Sequence, residues 1–135
     1  MRSFEDTFYV DYSGLREING TLTRDEYVAQ RITALAALVM QHDVSNLRFQ
    51  REDHEKVVVL CNFVIGWFPT RHDVNDWFHS YGRCRFAVIY KTYGWRIAGI
   101  VQAIMRNQGN PRLHGGVTEN RKLLDEEVVS LAAVV

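Results

Sequence analysis

Residues 57–68 read VVVLCNFVIGWF, an apolar run interrupted by Asn62. A run like this is the pattern of a strand covered on much of both faces, and it is too short to cross a bilayer as a helix. Gly66 marks a bend or bulge within it. The flanking segments read as its partners. Residues 44–51 form a strand, REDHEK at 51–56 is a charged turn, and PTRHDVND at 69–76 is a loop. Residues 77–90 resume a strand with Arg83 and Arg85 on one face and Cys84, Phe86 and Val88 on the other. KTYG at 91–94 is a tight hairpin turn, after which residues 95–105 return antiparallel.

The residues before this meander have a different rhythm. FYVDY at 8–12 alternates and is aromatic and β-branched, which predicts a short strand. Residues 13–21, with two glycines and an Asn-Gly pair, read as a loop. Thr23 followed by Glu26 is a capping box that opens a helix. Val28, Ile32, Leu35 and Val39 recur on one side and are expected to face the sheet, leaving Arg24, Gln30 and Arg31 opposite. Residues 106–116 read as a loop by composition. Leu124, Val128, Leu131 and Val135 predict an amphipathic helix over 118–135. The expected architecture is a single α+β domain over residues 1–135, a curved antiparallel sheet with one helix against it.

Charge narrows the partners. Sixteen Lys and Arg balance sixteen Asp and Glu, so there is no net basic field to draw nucleic acid or an anionic membrane. The amino terminus, MRSFEDTFYV, lacks the apolar core of a signal peptide. Cys61 and Cys84 stand far apart without metal-ligand spacing and read as reduced, buried side chains, so the expected compartment is the cytoplasm.

Several short stretches carry a resemblance. VDYSGL at 10–15, LTRDEYVAQ at 22–30, MQHDVSN at 40–46 and the hairpin FAVIYKTYGWRIAGIVQ at 86–102 follow one another in an order and spacing that resembles the SnoaL-like group of the nuclear-transport-factor-two-like superfamily. Within that group the chain is most similar to the scytalone dehydratase family. The resemblance covers residues 8–107 and implies a cone: a strongly curved mixed sheet around helices, with a ligand pocket inside. The family's first helix has no counterpart here, because the chain begins eleven residues before Tyr12. Members include dehydratases, cyclases, isomerases and binding proteins that catalyse nothing, so the pocket must decide the function.

The resemblance makes His42 the catalytic histidine and Tyr12 the tyrosine that polarises a substrate carbonyl. An imidazole can move a proton next to a carbonyl, and a buried phenol can donate to the resulting enolate oxygen. Against the family pattern, Trp67 takes the place of a second histidine, Cys84 that of a serine and Phe86 that of a polar amide. With Cys61, Phe63 and Ile65, these residues predict an apolar substrate-binding pocket poor in proton carriers. The expected activity is therefore a cyclisation or isomerisation, pericyclic in character, of a polyketide- or terpenoid-like compound in small-molecule biosynthesis, with no cofactor. The rivals are a scytalone dehydratase-like lyase and a non-catalytic binding or dimerisation module; a homodimer suits all three. His72, Asp73 and His79 match no familiar metal spacing, and neither cysteine has the local signature of a nucleophile.

Overall fold

The computed structural model describes residues 3–15, 17–71 and 75–113. Its elements are β1 (Phe4–Asp11), β2 (Asn19–Thr23), α1 (Arg24–Leu35), β3 (Leu38–Arg51), β4 (Lys56–Pro69), β5 (Phe78–Lys91) and β6 (Gly94–Gly109). The strands form one sheet in the order β2-β1-β6-β5-β4-β3. From β3 to β6 the chain is an antiparallel meander, while β1 lies parallel to β6, so the sheet is mixed.

The meander follows the sequence reading closely, because its strands alternate or run apolar and its turns are marked by charge and glycine. Gly94 closes the β5–β6 hairpin at φ 98°, a conformation that suits a residue without a Cβ. Other segments differ. Residues 19–23 pair with β1 as strand β2, although 19–21 read as part of a loop; the hydrogen-bond ladder to β1 outweighs the turn preference of Asn19 and Gly20. β3 begins at Leu38, so Val39 belongs to a strand and not to the helix, and His42 falls within the strand. β6 continues to Gly109 because Asn107 and Gln108 pair with Ser80 and His79 of β5, extending structure into the expected loop. His72 and Asp73, and the tail helix expected over 118–135, lie outside the described residues.

The helix starts as its sequence demands. Thr23 accepts a hydrogen bond from the Glu26 backbone, and the Glu26 carboxylate accepts one from the Thr23 backbone. Its inward face is only partly the expected one: Leu35 is on it as predicted, but Ile32 is not. Ile32 is 67% exposed, while Tyr27, Arg31 and Leu35, one turn apart, face the sheet. Rings and the aliphatic stem of arginine bury as readily as aliphatic side chains, and Tyr27 has aromatic partners in Phe4, Phe8 and Tyr12.

The register puts Trp67 opposite Phe78, Ile65 opposite Ser80, Phe63 opposite Gly82 and Cys61 opposite Cys84. These residues share the face that α1 covers. Trp67 stacks on Phe78 at 5.3 Å, and with Leu15 and Ile104 they make the core. Arg83 is exposed on the other face, as alternation requires. Ladder irregularities between Ser45 and Arg48 and between Tyr81 and Gly82 bend the sheet; Asn46, at φ 53°, occupies the first. The result is a cone of curved sheet closed on one side by the helix.

Candidate active site

A cavity of about 260 Å³ lies between the concave face of the sheet and α1. One wall is apolar: Leu15, Leu35, Met40, Ile65 and Trp67. The other lining residues are Tyr12, Glu17, Tyr27, Arg31, His42 and Gln102. This volume falls just below the ~300–1,000 Å³ usual for small-molecule sites, and its lining is richer in polar groups than the apolar pocket expected from the sequence, because α1 and the segment after β1 bring Glu17, Tyr27 and Arg31 to it.

Tyr12 follows the last residue of β1, and its hydroxyl lies 2.9 Å from that of Tyr27 on α1. One of the two phenols donates to the other, so the accepting phenol keeps its own proton for a ligand, strengthened as a donor by the bond it receives. Burial, and then the neighbouring Tyr27, pushes the Tyr12 pKa well above that of an ordinary phenol, despite an opposing effect of Arg31. Tyr12 is a neutral donor at any physiological pH.

The Arg31 guanidinium carbon lies 5.6 Å from the centre of the Tyr12 ring and 5.9 Å from that of Tyr27, within cation–π range of both. Its Nη1 donates to the Glu17 carboxylate at 2.5 Å. The pair is largely shielded from water, with 20% of the Arg31 side chain and 13% of the Glu17 side chain exposed.

His42 enters from the opposite flank of the sheet. Its strand is an edge and the residue is exposed on one side, but it lines the cavity beside Ile65, its β4 partner. Partial burial lowers its pKa below the ordinary histidine value, and Asp43 offsets only part of that. The ring is therefore neutral near pH 7, ready to accept a proton. Its orientation does not depend on a carboxylate hydrogen bond among the described residues.

Of the expected pocket residues, Tyr12, His42, Ile65 and Trp67 line the cavity. Cys61, Phe63 and Cys84 are buried in the core beside it, and Phe86 packs against that core half-buried. The two thiols are poor nucleophiles: burial, and then the facing Cys61, pushes the Cys84 pKa up to about 12, and burial raises that of Cys61. Four further polar groups that line the cavity, Glu17, Tyr27, Arg31 and Gln102, were not among the site residues that the sequence pointed to. Among the described residues no three His, Cys, Asp or Glu side chains gather as a metal site, and no helix is long and apolar enough to cross a membrane.

Solved structures share this architecture at low sequence identity. The Kfla4162 protein of Kribbella flavida superimposes with a TM-score of 0.76 at 14% identity, over 84% of this chain and 79% of that one. A putative scytalone dehydratase of Novosphingobium aromaticivorans gives 0.64 at 13%, over 80% and 70%. A type 2 hexachlorocyclohexane dehydrochlorinase gives 0.65 at 12%, over 81% and 72%. The chain has the nuclear-transport-factor-two-like cone fold. No family profile and no curated protein matches it by sequence. The cone accounts for the shared cavity. β1 and β3 stand four strand steps apart, ~19 Å in a flat sheet. Only a curled sheet lets Tyr12 and His42 line the same chamber.

Proposed function

We propose that this protein is a cofactor-independent isomerase or cyclase acting on a small, largely apolar carbonyl compound of polyketide or terpenoid type. The observation that carries the reading is the Tyr12–Tyr27 hydroxyl pair sharing one chamber with a neutral histidine and a wall of Trp67, Ile65 and Met40. The hydroxyl pair receives the carbonyl oxygen and stabilises the charge that develops there on enolisation. His42 removes the proton from the adjacent carbon and returns it at a second position, or the enolate carbon closes a ring on a second carbonyl of the substrate, whose oxygen takes the proton back from the imidazolium. Trp67 and its neighbours hold the substrate in the reactive conformer and keep water away from it.

A lyase reading uses the same geometry: the enolate formed at the hydroxyl pair expels a β-substituent, which leaves with the proton held by the imidazolium. Elimination activities named for two proteins of similar fold, a putative dehydratase and a dehydrochlorinase, lend it support.

Deuterium exchange at the α-carbon of 2-tetralone, an apolar enolisable ketone, tests the reading without the natural substrate. Wild-type protein is expected to accelerate exchange over buffer, and His42→Ala to reduce the acceleration by about 10²–10⁴-fold. Since a lowered pKa leaves the imidazole free to act as base, the rate should climb with pH to a plateau, with its midpoint below the ordinary histidine value of ~6.5. Tight binding of tetralone with no exchange above buffer would instead make the protein a binding module.

A further inference from the structure

The hydroxyl pair and His42 account for a carbonyl, but they leave the charge of Arg31 without a role. Of the guanidinium's donors, only Nη1 has an acceptor among the described residues, the Glu17 carboxylate. Nε is fully buried and has no hydrogen-bond partner there. A buried, unpaired donor on a cation is costly, and it is tolerated where something else satisfies it. The guanidinium is held from several sides. Two tyrosine rings lie within cation–π reach of it, and Glu17 fixes one end.

Arg31 and Glu17 also line a second feature. An open groove of about 650 Å³, with Ile18, Ala29 and Ala34 among its walls, shares both residues with the inner cavity. The ion pair therefore stands at the boundary between an apolar chamber and a solvent-facing groove. Glu17 neutralises one charge of the boundary but uses only one edge of the guanidinium. The edge carrying Nε is left to a ligand, and that edge, two parallel N–H groups, matches a carboxylate.

We infer that the ligand is a small apolar molecule bearing one carboxylate, gripped at Arg31, with its hydrophobic body against Trp67, Ile65 and Met40. The inference rests on the proposed ligand chamber and adds the class of substrate it accepts. Arg31 is a specificity-determining residue in this scheme, and Glu17 positions it. Lysine does not replace it, because a point charge supplies no parallel pair of donors.

The test uses the full chain labelled with nitrogen-15 and two probes of equal shape, 3-phenylpropanoate and its neutral amide. The Arg31 Nε–H resonance, identified by its loss in Arg31→Lys, reports on the fork, and the Trp67 indole N–H reports on the chamber. The carboxylate is expected to bind about tenfold more tightly than the amide, moving both resonances. In Arg31→Lys the preference should fall to near unity. Removing Arg31 alone would strand Glu17, so Arg31→Met combined with Glu17→Gln serves as the second variant, with the same expected loss of preference. If both probes shift Trp67 with equal affinity and the Nε–H signal stays still, the carboxylate assignment is overturned while the chamber stands. If neither probe shifts Trp67, both the assignment and the chamber reading fall.

Discussion

His42 and Tyr27 show how burial sets the chemistry of single residues. In the folded chain the His42 pKa lies below its ordinary value because the ring is partly buried, whereas in the unfolded chain it returns to ~6.5. Between those two values the unfolded state binds more protons, so stability is unaffected above ~6.5, declines as pH falls through the interval and levels off below it. His42→Gln should flatten that part of the stability profile in urea titrations; an unchanged slope would mean that the ring is not shielded. Tyr27→Phe is expected to cost about 1 kcal/mol, because it leaves the Tyr12 hydroxyl without its partner. The same variant should slow tetralone exchange more than it weakens tetralone binding. Equal losses in both would make the pair a binding contact and not a stabiliser of developing charge. Tyr12 and His42 were legible because short motifs carried them. Tyr27 and Arg31 were not, since a tyrosine and an arginine on a helix are ordinary surface residues until the tertiary fold brings them against Tyr12 and Glu17.

Among the elements, α1 separates what sequence encodes locally from what packing decides. Its start depends on two residues three positions apart, Thr23 and Glu26, and both hydrogen bonds of the box form. Thr23→Ala should therefore cost about 1 kcal/mol by thermal or urea unfolding. Which side of the helix faces inward depends on distant residues instead. Counting aliphatic positions selected Ile32, yet the face set by Phe4, Phe8 and Tyr12 is that of Tyr27 and Arg31. Ile32→Glu is expected to change stability by no more than about 0.5 kcal/mol, whereas Leu35→Glu, at the cavity wall, should cost about 2 kcal/mol or more. Equal costs would show that the exposed side of α1 is covered in solution. β2 illustrates the same division. Asn19 and Gly20 favour a turn, and only the ladder to β1 makes them a strand.

For the whole molecule, the site exists because the sheet curls, and curvature was the property least readable from the meander's own pattern. Alternation told which residues share a face, but not how far the face bends. The bend is localised where the ladder shifts, and Gly82 sits at one such shift opposite Phe63 and Ile104. A Cβ built on Gly82 would stand 2.1 Å from the Ala103 carbonyl oxygen and 2.7 Å from a ring carbon of Phe63. One obstacle is the backbone of the neighbouring strand and the other a buried ring, so neither moves cheaply. Gly99 is different, since a Cβ there meets nothing closer than 3.7 Å. Gly82→Ala is therefore expected to cost about 2–3 kcal/mol and to lower the urea midpoint. Gly99→Ala should change stability by less than about 0.5 kcal/mol, the alanine even restricting the unfolded chain. Because β5 lies between β1 and β3 in the sheet, flattening it at Gly82 moves the Tyr12 flank away from the His42 flank. Any folded Gly82→Ala protein should then lose tetralone exchange out of proportion to its loss of stability. If it folds with an unchanged midpoint and full exchange, the curvature at Gly82 does not bring the two flanks together, and the other ladder shifts, at Asn46 and between Ala87 and Val88, supply the bend.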